Sequence, residues 1–187
     1  MKKVLLTTLM VLVLAVGASA GPAIYAGGGV SMPMGDWADF YKMGIGFGGG
    51  VGFPVTPQFD VVGKVFYNSF SMDSDVIEGG EFIAFAFGAD LHFYPMANNA
   101  DESAFTPYLL GGIGMSSVKA NEVTAPIAVP ESDTEMDLTF GFGGGFQYEM
   151  SPSMSFWVEA KYTIISTEGA STSHLPIFGG IKFNLGE

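Results

Sequence analysis

The sequence predicts an all-β fold, an eight-stranded antiparallel up-and-down transmembrane β-barrel. Composition is the first observation behind this reading. Apolar residues make up 48% of the 187, charged residues only 14%, and there are 27 glycines and 17 phenylalanines. Soluble domains average about 25% charged. The second observation is that no apolar run of about 18 residues follows the N-terminal stretch, so no membrane helix is available. A closed barrel is the other structure that satisfies every backbone group in lipid. The third is a recurring period of two, the mark of strands with one face in lipid and one in a lumen.

The chain opens with "MKKVLLTTLMVLVLAVGASA". Lys2 and Lys3 form a basic region, Val4 to Val16 is apolar, and Ala18-Ser19-Ala20 is a cleavage box. Residues 1–20 therefore read as a secretory signal peptide. The expected mature chain, residues 21–187, is one domain and carries a formal charge of 5 − 19 = −14 once Lys2 and Lys3 are removed. It has no arginine, which leaves nucleic acid a poor partner. It has no cysteine, which rules out disulfides and thiolate metal sites.

Eight strands are predicted, at 23–33, 43–53, 58–70, 81–95, 105–116, 134–148, 154–166 and 175–185. The first ends at the loop "MGDWADFYK" (34–42). The second contains "GIGFGGGVGF", which places Ile45, Phe47, Val51 and Phe53 on one face and Gly44, Gly46, Gly48, Gly50 and Gly52 on the other. In the third, Phe59, Val61, Val65 and Tyr67 oppose Asp60, Val62, Lys64 and Phe66. In the fourth, Ile83, Phe85, Phe87, Leu91 and Phe93 oppose Ala84, Ala86, Asp90 and His92. The fifth carries "TPYLLGGIG". In the sixth, Met136, Leu138, Phe140, Phe142, Phe146 and Tyr148 oppose Asp137, Thr139, three glycines and Gln147. In the seventh, Met154, Phe156, Val158 and Tyr162 oppose Ser155, Trp157, Glu159 and Lys161. The eighth carries "FGGIKFNL". Shorter connections such as "PVTP" and "EMSPS" alternate with longer loops, which suits a barrel with a periplasmic and an external end. An even strand number puts both termini at the periplasmic end.

The chain resembles the small outer-membrane β-barrel family, the OmpA-transmembrane/OmpX type of "porin family" protein, over its whole length. "TPYLLGGIG" (106–114) is similar to that family's fifth strand, and "FGGIKFNL" (178–185) resembles its C-terminal assembly signal. The resemblance implies that Gly180, Phe183 and Leu185 are read by the outer-membrane insertion machinery. It also implies a bacterial outer-membrane location, with structural, adhesive, solute-passage or lipid-modifying roles among its members.

Gly44 to Gly49 fit G-x-G-x-x-G, but Pro54 and Pro57 forbid the helix a dinucleotide fingerprint needs, and position 64 is a lysine where an acid belongs. The match is a by-product of period two. No cofactor is expected. The lumen is expected to hold a polar network of Asp60, Lys64, Asp90, His92, Asp137, Gln147, Glu149, Glu159, Lys161 and Lys182, with lysines paired to carboxylates because unpaired burial is costly. A catalytic reading of Asp90, His92 and Ser155, or of His174 beside Ser171 and Ser173, lacks a nucleophile motif. Two aromatic girdles are expected, with Phe53, Phe59, Phe93, Phe105, Tyr148, Phe156 and Phe183 at the periplasmic ends and Tyr67, Phe140 and Tyr162 nearer the opposite rim.

The external loops are acidic. Asp36 and Asp39 lie in the first, Asp73, Asp75, Glu78 and Glu81 in or beside the second, and Glu122, Glu131, Asp133 and Glu135 in or beside the third. No segment has a calcium-loop spacing, so a solvated surface is favoured over a cation site. Trp37 is expected to be an exposed loop aromatic that contacts a partner. The expected function is a structural or interaction role, adhesin-like, through these acidic loops. A narrow passive channel is the alternative, and a lipid-modifying enzyme or a soluble lipocalin-like binder ranks below it. Expected partners are outer-membrane lipid, the insertion machinery, and divalent cations or an external partner at the loops, with the protein a monomer.

Overall fold

The computed structural model describes residues 21–71, 78–79, 81–96, 104–120, 123–125, 135–167 and 170–186. The predicted signal peptide lies outside them. In chain order the strands are β1 (Ala23–Met34), β2 (Gly44–Thr56), β3 (Phe59–Ser71), β4 (Glu78–Gly79), β5 (Glu81–Phe93), β6 (Phe105–Ala120), β7 (Val123–Ala125), β8 (Glu135–Ser151), β9 (Met154–Thr167) and β10 (Ala170–Asn184). A 3₁₀ turn, Gly35–Asp39, follows β1. Eight strands close in the order β1-β10-β9-β8-β6-β5-β3-β2, every neighbour antiparallel. Closure removes every edge, so each strand's backbone groups find partners within the barrel.

Alternation sets the two faces. Ile45, Phe47, Val65, Phe85, Leu109, Ile113, Leu138 and Phe142 are exposed on the outside. Such a surface is unfavourable in water and suited to hydrocarbon. Laterally paired rings mark both heights of the band. Phe59 stacks on Phe93 at 5.0 Å and Phe105 meets Phe146 at 5.1 Å toward the periplasmic turns. Phe47 meets Tyr67 at 5.2 Å and Phe142 meets Tyr162 at 5.9 Å toward the other end.

Three features of the strands depart from the sequence expectation. β10 begins at Ala170, five residues before the predicted start, because its Ser/Thr-rich beginning pairs with β9 from Ala170↔Thr167 onward. Ser and Thr are common in turns, yet here their short side chains suit a ladder. The β10–β9 ladder breaks at Leu175 and Pro176, where Pro176 has no N–H to donate. The external connections also carry structure of their own: β4 and β7 pair with each other as a separate two-stranded sheet.

Candidate functional site: the filled lumen and its external rim

The inward row of each strand fills the barrel in three tiers. At the periplasmic end, Tyr94 Oη donates to Asp60 Oδ2 at 3.0 Å, and Gln147 Nε2 donates to Tyr94 Oη at 2.8 Å. Lys182 Nζ donates to Gln147 Oε1 at 3.1 Å, sits 3.9 Å from Asp60 Oδ2, and lies 5.5 Å from the centre of the Tyr25 ring. His92 is fully buried and stacks on Tyr108 at 4.6 Å with the rings 10° from parallel.

The middle tier is a charge network. Lys64 Nζ donates to both oxygens of Glu159, at 2.7 and 2.8 Å, and lies 3.1 Å from Asp90 Oδ2. Lys161 Nζ donates to Asp90 Oδ1 at 2.6 Å, and Tyr108 Oη donates to Glu159 Oε2 at 3.1 Å. Two ammonium groups thus face two carboxylates, and Lys64, Asp90 and Glu159 are all buried. Pairing of this completeness is what makes buried charge tolerable. The partners come from β3, β5 and β9, so the network ties together strands that are not all neighbours in the barrel.

The glycines make room for this filling. A Cβ at Gly48 would lie 2.5 Å from Phe66 Cδ1, and one at Gly46 would lie 2.6 Å from Phe178 Cζ. Phe66 and Phe178 meet each other at 5.0 Å. The bare row of β2 is therefore covered by rings that lean in from β3 and β10. Phe178 packs with Ala23, Tyr25, Val62 and Trp157 in one apolar cluster of the core, against which Phe66 lies.

The external tier is aromatic. Trp37, in the 3₁₀ turn after β1, packs at 4.8 Å against both Phe70 and Phe82, at 5.5 Å against Tyr41, and at 6.0 Å against His174. The expectation of an exposed Trp37 is thereby corrected, since its relative exposure is 7%. The inward rings of Phe70 and Phe82 offer it an apolar seat at the barrel mouth, and burying an indole there outweighs leaving it in water. Burial also raises the pKa of Tyr41 above the ordinary phenol range. Asp36 and Asp39 flank Trp37 and are exposed.

Asp137 joins the buried residues near the external end of β8. Glu149 does not join the lumen. It is exposed at the end of β8, the last residue paired before the β8–β9 register shifts, so its carboxylate reaches water rather than the lumen. Asp73, Asp75, Glu122, Glu131 and Asp133 lie outside the described residues. Gly180 lies in the inward row opposite Gly27, while Phe183 and Leu185 are exposed at the end of the chain. No triad assembles from the catalytic candidates among the described residues. Both nitrogens of His92 are without a hydrogen bond. His174 points inward, whereas Ser173 accepts a hydrogen bond from Tyr162 Oη at 3.0 Å. Tyr94 of the periplasmic tier and Tyr108, which links that tier to the middle one, are polar partners that the sequence reading does not single out. An inward phenol within reach of Asp60 or Glu159 was the available signal.

The model of the outer membrane protein beta-barrel domain matches residues 4–186. The chain belongs to this family. Its home is therefore the bacterial outer membrane, crossed by strands. Among solved structures, the chain is similar to Neisserial surface protein A, with a TM-score of 0.67 and 12% identity over 89% of this chain and 98% of that one. It is also similar to Ail, the attachment invasion locus protein of Yersinia pestis, with a TM-score of 0.53 and 19% identity over 88% and 100%. A third is the N-terminal barrel domain of Pseudomonas aeruginosa OprF, at 0.50 and 13% over 88% and 98%. At these identities the likeness is one of fold. No match was found among curated proteins.

Proposed function

We propose that the protein is a closed, non-enzymatic barrel of the outer membrane with a structural and interaction role, adhesin-like, exercised through its acidic external loops. The observation that carries this reading is the occupied lumen. The Lys64–Glu159–Asp90–Lys161 network spans the middle, and Trp37 sits in the mouth. An eight-stranded barrel is barely wider than its side chains, and ones bonded to each other at 2.6–2.8 Å leave little path for solute.

The similar barrel Ail is named for attachment and invasion, and one of its structures holds the heparin analogue sucrose octasulfate. A polyanion suits this chain poorly, because its formal net charge is −12 and its first external loop presents Asp36 and Asp39. A cationic partner, or an anionic one bridged by divalent cations, complements it. In the same reading the barrel is a monomer in outer-membrane lipid, inserted by machinery that reads Gly180, Phe183 and Leu185.

A narrow channel is the second reading, favoured by a cavity of about 70 Å³ above the network. Planar-bilayer recording of the refolded protein separates the two. The closed barrel gives no discrete openings. Openings whose size or frequency responds to Glu159→Gln or Lys161→Met would replace this reading with the channel.

A further inference from the structure

The outward apolar surface reaches further toward the external end on β1 and β2 than on the strands beside them. Phe47 pairs with Tyr67, and their rings meet at 5.2 Å. Beyond that pair β3 turns polar, with Ser69 opposite Ile45 and then Ser71. On the other flank β10 turns polar at Ser173, opposite Met34. The outward row of β1 and β2 stays apolar, through Met32 to Met34 on one strand and through Ile45 to Met43 at the head of the other. β8 also keeps a methionine at its external end, Met136, but Glu135 precedes it.

The turn after β1 enlarges this surface. Phe40 is 60% exposed, Met43 58%, Ile45 68% and Phe47 61%, and among the described residues only Leu109, Phe142 and Leu185 match them. A patch of this kind is unfavourable in water. The backbone also holds Phe40 at the wall. Trp37 is seated between Phe70 and Phe82, and the Lys42 N–H donates to the carbonyl of Ser71 at 2.9 Å. Phe40 is three residues from the first anchor and two from the second, so its Cα stays within about 11 Å and about 8 Å of them. The turn straddles the rim: the rings of Trp37 and Tyr41 pack with Phe82 on the mouth side, and Phe40 is left exposed.

We propose that Phe40 and Met43, flanked by Met34, form a lipid-docking surface whose occupant is the acyl chains of the outer leaflet. The surface continues the band of Ile45 and Phe47 that faces hydrocarbon along the barrel wall. Lys42 lies between the two, and a lysine can lay its stem on an apolar surface while its ammonium reaches the head-group layer. Asp36 and Asp39 are then the side chains of this turn that remain in water. The first external loop is pinned from both sides of the wall, by Trp37 in the mouth and by Phe40 in lipid.

The chain has no cysteine, so a single introduced one can carry a nitroxide label. The full chain is refolded into phosphatidylcholine vesicles with the label on Phe40→Cys or Met43→Cys. Phe47→Cys serves as the lipid reference and Asp36→Cys as the water reference. Electron paramagnetic resonance compares collisions with oxygen, which concentrates in hydrocarbon, and with a water-soluble nickel chelate. The oxygen-to-nickel ratio at positions 40 and 43 is expected near that at 47 and about fivefold above that at 36. Heat-modifiable gel migration establishes folding. On the unsubstituted protein in lipid nanodiscs, the Phe40 ring should show nuclear Overhauser contacts to acyl methylenes, which carries the test if a labelled variant does not fold. A ratio at 40 or 43 no higher than at 36 would overturn the proposal. So would a Phe40 ring in contact with water and not with acyl chains, a patch open to an external partner instead.

Discussion

Replacing Lys64 by methionine isolates what the central network contributes. Methionine keeps the length of the side chain and removes the charge. Glu159 then loses its contacts at 2.7 and 2.8 Å and keeps only the Tyr108 hydroxyl at 3.1 Å. Asp90 retains Lys161 at 2.6 Å. The consequence is one buried carboxylate without a counter-ion, and removing one partner of a buried pair typically costs about 3–5 kcal/mol. The double variant Lys64→Met/Glu159→Gln removes that orphan charge, and exchange of a whole buried pair for neutral groups is often close to neutral. The double variant is therefore expected to recover more than half of the single variant's loss. Urea titration of the protein folded in lipid vesicles, followed by tryptophan fluorescence, measures all four corners of the cycle. A loss below about 1 kcal/mol for Lys64→Met would refute the reasoning, because exposed pairs are worth that little. So would a double variant whose loss equals the sum of the singles.

Two further substitutions probe the other tiers. Gly48→Leu drives a side chain into the space held by Phe66 and the carbonyl of Val65, and should cost about 1–3 kcal/mol or block folding. The same change in a Phe66→Ala background should be less damaging by gel-shift folding yield, and equal tolerance in both backgrounds would mean the ring does not occupy that space. Trp37→Ala removes the indole from between Phe70 and Phe82 and should cost about 3–5 kcal/mol locally, seen as faster proteolysis of the first external loop while the barrel keeps its heat-modifiable migration. Unchanged proteolysis would mean that Trp37 does not hold the loop.

Period two made most of the barrel legible. Rows such as Ser155, Trp157, Glu159 and Lys161 declare their face without any tertiary information, and the inward glycines of β2 follow from the same count. Partner choice was less legible. Glu159 and Lys161 are neighbours in the inward row, yet Glu159 bonds to Lys64 and Lys161 bonds to Asp90. Strand tilt and shear set which residues share a height in the lumen, and neither is written in one strand's alternation. Trp37 was misread for a related reason. Its loop carries the polar Asp36 and Asp39 close by in sequence, while the rings that bury it come from β3 and β5. The early start of β10 was hidden by composition, since Ser171, Thr172 and Ser173 suit either a turn or a ladder.

The glycines of β1 give the barrel a seam with a consequence for assembly. A Cβ at Gly27 would lie 2.8 Å from Trp157 Cζ2, and one at Gly29 would lie 2.9 Å from Phe178 Cδ1. The notches are thus cut in the first strand, and the side chains that fill them are made last, on β9 and β10. Until β10 docks on β1, those notches stand empty and Trp157 has no complete seat. Sealing the wall and filling these notches are consequently one event. A chain stalled before β10 lacks Phe178 and Lys182 from its interior as well as a closed edge, so the last strand completes the wall and part of the core together.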